Sequence, residues 1–297
     1  MLSPREADLV RSRGYCFNHA ITLMATTEGE PFVRDGFVLY WDGRRVLLSG
    51  ESLDEDTNKV EPKVRDLVRW CLTEWPVETL WYVGPERLSL AGMCSREFRC
   101  MKIIPPTALD TELVVDCRNE VVSRRLRRWL RSESRRAFEI RRTRILLFAA
   151  DHFRLLDKFF SGKERTEFLL NLVLQMSAFA ANGAGEWFEA WHKGRLAGLA
   201  MATDSFFDMD MAVFVCSDRT IPGVGDVLHA SMIDASREKG KRFLNLGPSL
   251  TEGHARFKGK WGGKPRGSPP WWQQWGRGEL AKRQYDGWPA RLLDLGK

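Results

Sequence analysis

A glycine-containing turn is the first place in this chain where residue types and spacing predict chemistry. The turn runs from Arg219 to Asp226, between a predicted strand over Met209–Val215 and a predicted helix over Val227–Glu238. A glycine turn that leads into a helix directs backbone N–H groups and the positive end of the helix dipole at one point. Asp226 is also predicted to cap this helix. The pattern therefore predicts a phosphate-chain site formed by Arg219, Gly223, Val224, Gly225 and Asp226.

A second candidate is a run of eleven arginines, without a lysine, between Arg118 and Arg144. Many of them recur at three- and four-residue spacing, which places side chains on one face of a helix that we predict over Val121–Ile140. Guanidinium groups hold phosphates through paired hydrogen bonds. A solvated helix face gives the same pattern. The predicted nucleic-acid-binding face consists of Arg124, Arg127, Arg128, Arg131 and Arg135.

The overall charge agrees with an anionic partner. The 297 residues carry a formal net charge of +7, which favours nucleic acid, a nucleotide or a phospholipid surface. No N-terminal signal pattern follows Met1, and the most apolar predicted helix, Phe168–Ala181, is too short to span a bilayer, so a cytoplasmic location is expected. The six cysteines lack metal-ligand spacing, so no metal site is expected.

The elements that must position these residues alternate between strands and helices. Residues 1–110 combine a hairpin over Phe37–Ser49 with a helix over Glu61–Trp75, which indicates a small α/β domain. Residues 111–145 form the arginine-rich connecting region, and residues 146–297 form a C-terminal α/β domain. The latter ends in a tryptophan-rich tail from Trp261, interpreted as packing onto that domain or as an aromatic wall of a pocket.

The order strand, glycine turn, helix, strand resembles the GCN5-related N-acyltransferase (GNAT) fold. Members of that family carry an Arg/Gln-x-x-Gly-x-Gly/Ala turn that grips the pyrophosphate of an acyl-CoA. Arg219, Gly223 and Gly225 match it with one extra residue after the arginine. The resemblance implies tandem GNAT-like α/β domains, each a mixed central sheet flanked by helices.

The segment from Ser123 to Ile140 is similar to the Fem-type peptidyltransferases, in which a basic R-x-x-I/L-R-K/R-A helix precedes the second of two GNAT-like domains. The layout also resembles the aminoacyl-phosphatidylglycerol synthases, whose C-terminal units close with an aromatic-Lys-x-x-Trp/Phe-Gly signature. Phe257-Lys258-Gly-Lys-Trp261-Gly262 matches that signature. The resemblance covers about residues 110–265.

This resemblance implies transfer of an acyl or aminoacyl group to an amine without a metal, a tightly bound cofactor or a covalent intermediate. The donor carbonyl would lie against a backbone N–H of Val213, Phe214 or Val215. Lys258 would stabilise developing charge, although an exposed loop lysine is the alternative. Attack needs a neutral amine. The candidate proton acceptors are Glu252 and His254 beside the fifth strand, Asp208 and Asp210 near the fourth, and His229, which fits a structural helix residue better. His254 is the preferred histidine, because Gly253 and Ser249 predict a loop at the cleft.

The function expected from the sequence is an N-acyltransferase with aminoacyl-tRNA as the first-choice donor and a peptide, lipid or small-molecule amine as acceptor. The glycine turn favours acyl-CoA as the alternative co-substrate, whereas the arginines favour tRNA. A non-catalytic RNA- or nucleotide-binding protein on a GNAT scaffold is the third hypothesis.

Overall fold

Two mixed β-sheets flanked by helices organise the chain in the computed structural model, which describes residues 2–24, 29–54, 60–89, 98–119, 123–161, 166–204, 206–249 and 251–277. The helices are α1 (Pro4–Arg13), α2 (Phe17–Met24), α3 (Val60–Glu74), α4 (Arg124–Leu130), α5 (Glu133–Arg136), α6 (Ala150–Phe160), α7 (Thr166–Phe179), α8 (Val224–Glu238) and α9 (Glu252–Lys260). The strands are β1 (Glu30–Arg34), β2 (Phe37–Trp41), β3 (Arg45–Ser49), β4 (Thr79–Gly84), β5 (Phe98–Ile104), β6 (Glu112–Asp116), β7 (Phe138–Thr143), β8 (Gly185–His192), β9 (Arg195–Thr203), β10 (Met209–Ser217), β11 (Phe243–Asn245), β12 (Lys264–Arg266) and β13 (Trp271–Arg277).

The chain divides into two units. Within the described residues, the first unit contains the chain up to Glu112, Pro248–Ala255 and the chain from Pro265, and the second contains Leu113–Gly247 and Arg256–Lys264. The first sheet has the order β1-β2-β3-β4-β13-β5, and the second has the order β12-β6-β11-β10-β9-β8-β7.

The first unit follows its sequence pattern closely. The predicted hairpin is confirmed: β2 and β3 pair antiparallel, and Asp42 Oδ1 accepts hydrogen bonds from the N–H groups of Arg44 and Arg45 in the turn. Helix α3 buries Val64, Leu67, Val68 and Cys71 on the face that their spacing predicts. Strands β3 and β4, which α3 connects, pair parallel.

The second unit repeats this arrangement. Strands β8, β9 and β10 form an antiparallel meander, and α8 leads from β10 to β11, which pairs with it parallel. Gly240 after α8 has φ 75°, the left-handed conformation that glycine adopts at helix ends. The core beneath α8 contains Val227, Leu228 and Met232, each fully buried.

The predicted arginine helix is wrong beyond its first two turns. The described chain forms α4, the short helix α5 and then strand β7, so Arg131 is the C-cap of α4 and Arg135 lies on α5. Ser132 Oγ donates to the carbonyl of Trp129, where the helix ends. From Phe138 the chain pairs with β8 in register, because strand pairing outweighs local helix propensity.

The tryptophan-rich tail also differs from its predicted place in the C-terminal domain. Strand β13 lies between β4 and β5 in the first sheet, with Trp272 opposite Val83 and Trp275 2% exposed. The side chain of Gln273 accepts from the N–H of Leu88 and donates to its carbonyl. Trp288 lies outside the described residues.

Candidate functional site

The predicted glycine turn forms the N-terminus of α8. Gly223 is the N-cap in the left-handed region at φ 89°, and its carbonyl accepts from the N–H of Val227 at 3.0 Å. The prediction that Asp226 caps the helix is therefore wrong: Asp226 lies within the first turn and pairs with Lys260 at 2.7 Å. This ion pair offsets an acidic side chain that would otherwise weaken anion binding at the helix N-terminus.

The other residues predicted at this turn have different environments. Val224 is 1% exposed and packs against Gly198, so it offers only its backbone. Gly225 is half-buried, and a side-chain carbon added to it would lie 3.5 Å from the ring of Phe257. Arg219 is exposed.

Strands β10 and β11 separate at their carboxyl ends. Their parallel pairing extends from Met209 opposite Phe243 to Met211 opposite Asn245, while β10 continues to Ser217. A bulge follows: Ala212 pairs with Ala202 and Phe214 with Met201 on β9, so Val213 is the extra residue. Phe214 and Val215 pair with β9, but β11 does not extend beside Val213–Val215 on the other side of β10.

The corresponding strands of the first unit stay together. Strands β3 and β4 pair without a shift over five positions, from Arg45 opposite Thr79 to Ser49 opposite Val83. The N–H of Gly50 then continues the pairing by donating to the carbonyl of Val83 at 2.6 Å. Of the two described parallel strand pairs, β10 and β11 in the second unit are therefore the strands that separate.

Lys258 lies at the end of β11. Its Nζ donates to the carbonyl of Gly247 at 3.0 Å, and Gly247 itself donates to Asn245 Oδ1 at 2.7 Å. The ammonium group is thus fixed two residues beyond the strand, on the side where β10 and β11 diverge.

The helix α9 that carries Lys258 packs on α8 through aromatic rings. The ring of His229 lies 4.7 Å from that of Phe257 and 6.1 Å from that of buried Trp261. Nδ1 of His229 donates to the carbonyl of Gly225 at 2.8 Å, and burial lowers the pKa of His229 to about 4. His229 is therefore a neutral structural residue, as its helical position predicts.

No pattern in the sequence links the arginine segment with the glycine turn. A side-chain carbon added at Gly223 would lie 2.2 Å from Cζ2 of Trp129, so the indole of α4 packs directly on this glycine. The partner of Trp129 is visible only in the tertiary structure. Trp129 places the arginines of α4 beside the N-terminus of α8.

The arginines near this contact differ in their partners. Arg124, Arg128 and Arg131 are exposed and make no ion pair with an acidic side chain in the described part of the chain. In contrast, Arg136 pairs with Glu133 at 2.5 Å and Arg141 with Glu139 at 2.7 Å. Arg127 is half-buried, and Arg135 donates to the carbonyl of Phe138 at 3.5 Å. Uncompensated positive charge is therefore concentrated on α4.

The predicted proton acceptors have contrasting environments. Glu252 and His254 are exposed in the first turn of α9, so His254 is helical and not in the predicted loop. Both belong to the segment Pro248–Ala255, which groups with the first unit. Asp210 is fully buried, accepts from Ser236 at 2.8 Å and lies 3.4 Å from Lys239. Burial raises the pKa of Asp210, and these contacts indicate a structural role.

A buried histidine and glutamate pair was not singled out from the sequence. Nε2 of His152 lies 2.7 Å from Glu189 Oε1, while Nδ1 accepts from the N–H of Ala149 at 3.1 Å. The hydrogen bond to His152 lowers the pKa of Glu189. The pair joins the start of α6 to β8, and the spacing of 37 residues gives no sequence signal.

Two other kinds of site are absent from the described residues. No group of three or more His, Cys, Asp or Glu residues there has an arrangement that could hold a metal ion. None of the described helices is both long and apolar enough to cross a membrane.

The chain is similar to known proteins in its structure and not in its sequence. No family model matches the sequence, and no curated protein does. The structure of FemX superposes with a TM-score of 0.60 at 10% identity, covering 91% of this chain and 94% of FemX. L-PGS from Bacillus licheniformis gives 0.57 at 13% identity, covering 94% of both chains.

The C-terminal domain of a putative lysylphosphatidylglycerol synthetase from Agrobacterium fabrum gives a TM-score of 0.54 at 14% identity, covering 90% of this chain and 91% of that domain. At these identities the similarity concerns the fold. The protein has a tandem GNAT-like fold of the Fem type.

Proposed function

We propose that the second unit transfers an activated acyl group to an amine, with aminoacyl-tRNA as the donor. The coarse class, an acyl or aminoacyl transferase, is inferred from the fold that the chain shares with FemX, L-PGS and the domain of the putative lysylphosphatidylglycerol synthetase. The choice of a tRNA donor is carried by one observation: α4 presents exposed arginines without acidic partners and is packed by Trp129 onto the α8 N-terminus. Such charge attracts a nucleic-acid backbone in a salt-dependent manner.

The proposed chemistry uses the opening between β10 and β11. The ester carbonyl of the donor lies against the N–H groups of Val213–Val215, which stabilise the oxyanion as the amine attacks. A C–N bond forms, the C–O bond to the ribose breaks, and the ribose oxygen takes up a proton. Lys258, fixed at Gly247, adds positive charge at the donor end of the site.

The incoming amine must lose a proton. We propose His254 as the acceptor, with Glu252 as the second candidate. Both are exposed in the first turn of α9 and therefore open to solvent for proton exchange.

An acyl-CoA donor is the second candidate. The left-handed Gly223 and the N-terminus of α8 provide backbone N–H groups suited to a pyrophosphate, and Lys260 pairs with Asp226, the acidic residue of that turn. In this case a thioester replaces the ester, and the α4 arginines become a solvated surface.

The test is a binding titration of the full chain with aminoacylated tRNA and with acetyl-CoA at two salt concentrations. Reversal of Arg124, Arg128 and Arg131 to Glu is expected to weaken tRNA binding at least ~10-fold and to flatten its salt dependence by about one unit of slope per lost contact. The matched control reverses Arg136, Arg141 and Arg154, which are exposed but paired with neighbouring acids.

If both triple variants lose the same affinity for tRNA, the loss comes from net charge alone. That result would contradict a specific tRNA site on α4. Binding of acetyl-CoA alone would select the CoA donor. Binding of tRNA regardless of aminoacylation, without transfer to any amine, would favour the non-catalytic hypothesis.

A further inference from the structure

One face of β10 carries a cluster of aromatic side chains at the bulge. The ring centroid of Phe214 lies 6.3 Å from that of Phe159, 6.4 Å from that of Phe160 and 6.2 Å from that of Trp187. Phe160 and Trp187 are at most 1% exposed, whereas Phe159 and Phe214 are half-buried. The exposed part of the cluster therefore comes from Phe214, directly after Val213, and from Phe159 of α6.

The register assigns Phe214 to a definite side of the sheet. Ala212 and Val215 belong with the core beneath α8, while Phe214 pairs with Met201 on the opposite face, where the Sγ of Cys216 lies 4.0 Å from the carbonyl of Leu155 in α6. This face is next to the point where β10 leaves β11. A group bound through a carbonyl at the bulge can extend along it.

Glu189 is an acidic residue on this face of β8, and its carboxylate is held by two neighbouring side chains. Glu189 follows Trp187 by two residues, so both point to the same face. Its Oε1 lies 2.7 Å from Nε2 of His152, and its Oε2 accepts from Nε1 of Trp191 at 2.8 Å. Both oxygens thus have hydrogen-bond partners, and Glu189 is not available to neutralise a bound cation.

The rings themselves are poorly arranged for a cation. Phe159 and Trp187 meet Phe214 at interplanar angles of 76° and 71°, so edges cover ring faces. A cation on an aromatic ring needs an open face. A side-chain ammonium group transferred into this cluster would lose water without an ion pair to Glu189 in return, which costs free energy.

We propose that the aromatic cluster of Phe159, Phe160, Trp187 and Phe214 receives the side chain of the donor's aminoacyl group and selects an uncharged, apolar side chain. This inference rests on the proposed acyl transfer and adds the chemical class of the transferred group. Phe214 is the specificity-determining residue, because its half-buried ring limits how far the side chain of the transferred group extends. The expected preference for an apolar side chain excludes a lysyl group. A lysyl group is what the name of the Agrobacterium fabrum protein with a similar fold contains.

The experiment uses acceptor-stem RNA carrying alanyl, phenylalanyl or lysyl groups through a stable 3′-amide, with uncharged RNA as reference. Alanyl RNA is expected to bind the full chain more tightly than uncharged RNA, and lysyl RNA at least ~10-fold more weakly than alanyl RNA. Phe214→Ala is expected to raise the affinity for phenylalanyl RNA relative to alanyl RNA about tenfold, the range for a changed apolar pocket. Phe207→Ala is the matched control, because Phe207 is 84% exposed.

Phe214→Leu repeats the test with a smaller loss of buried volume if the alanine variant does not fold. A preference for lysyl RNA, or a ranking unchanged by both Phe214 variants, overturns the inference while leaving the proposed tRNA donor intact. If no RNA binds, the same ranking is measured with acetyl-, phenylacetyl- and β-alanyl-CoA. Uncharged acyl groups are then expected to bind best, and failure of both series overturns the inference together with the proposed function.

Discussion

At the scale of single residues, Gly223 is required for two separable reasons. Its φ of 89° costs a side chain about 1–2 kcal/mol, and an added carbon would lie 2.2 Å from Trp129. Gly223→Ala is therefore expected to lower the free energy of unfolding more than Gly240→Ala, because Gly240 has φ 75° and nothing within 4 Å. Urea unfolding of both variants, and of Gly223→Ala with Trp129→Ala, measures the two contributions. Equal losses at the two glycines would show that the Trp129 contact contributes nothing.

Lys258 is the side chain expected to stabilise negative charge during the reaction. Its Nζ is fixed at the carbonyl of Gly247, so removing it takes away positive charge without opening the core. Lys258→Ala is expected to lower kcat/KM about 10²–10³-fold, the range for loss of one oxyanion donor, with a small change in melting temperature. The exposed Lys264, changed to Ala, serves as control. Turnover intact in the Lys258 variant would contradict the role carried over from the Fem-type signature.

At the scale of elements, the parallel pairs distinguish the two units. The β3–β4 pair stays in register over its whole length, whereas β10 leaves β11 after Met211 and bulges at Val213. A donor carbonyl needs unpaired backbone N–H groups, so transfer is expected to depend on the second unit.

Val213→Pro removes one such N–H and is expected to abolish transfer, while Leu47→Pro in β3 would act through folding of the first sheet alone. Circular dichroism and thermal unfolding distinguish loss of the reaction from loss of folding. Full turnover in the Val213→Pro variant would exclude the N–H of Val213 from the reaction.

At the scale of the whole molecule, buried neutral histidines link stability to pH. Burial lowers the pKa of His229, and separately that of His19, to about 4. The unfolded chain binds these protons near pH 6.5 and the folded chain does not, so the free energy of unfolding falls as the pH drops from about 6.5 to 4. For His229 the loss is roughly 3 kcal/mol. His229→Asn keeps a donor for the carbonyl of Gly225 and is expected to flatten this slope.

Urea midpoints at pH 7 and pH 5 measure the effect, with exposed His254→Asn as the control. A slope equally steep in His229→Asn would mean that His229 titrates alike in the folded and unfolded chains.

The sequence by itself determined the features that depend on neighbours within a few residues. The hairpin around Asp42, the helix after the glycine turn and the left-handed Gly240 follow from local sterics and hydrogen bonds. The Fem-type resemblance also predicted the tandem fold.

Only the tertiary structure decided which distant segments meet. The Trp271–Arg277 strand joins the first sheet, Phe138–Thr143 leaves the arginine run to pair with β8, and Trp129 packs on Gly223. Strand pairing and ring packing between residues far apart in the chain have no local pattern, because partners are chosen by burial and register in the folded molecule. For the same reason, the separation of β10 from β11 that opens the candidate site had to be observed.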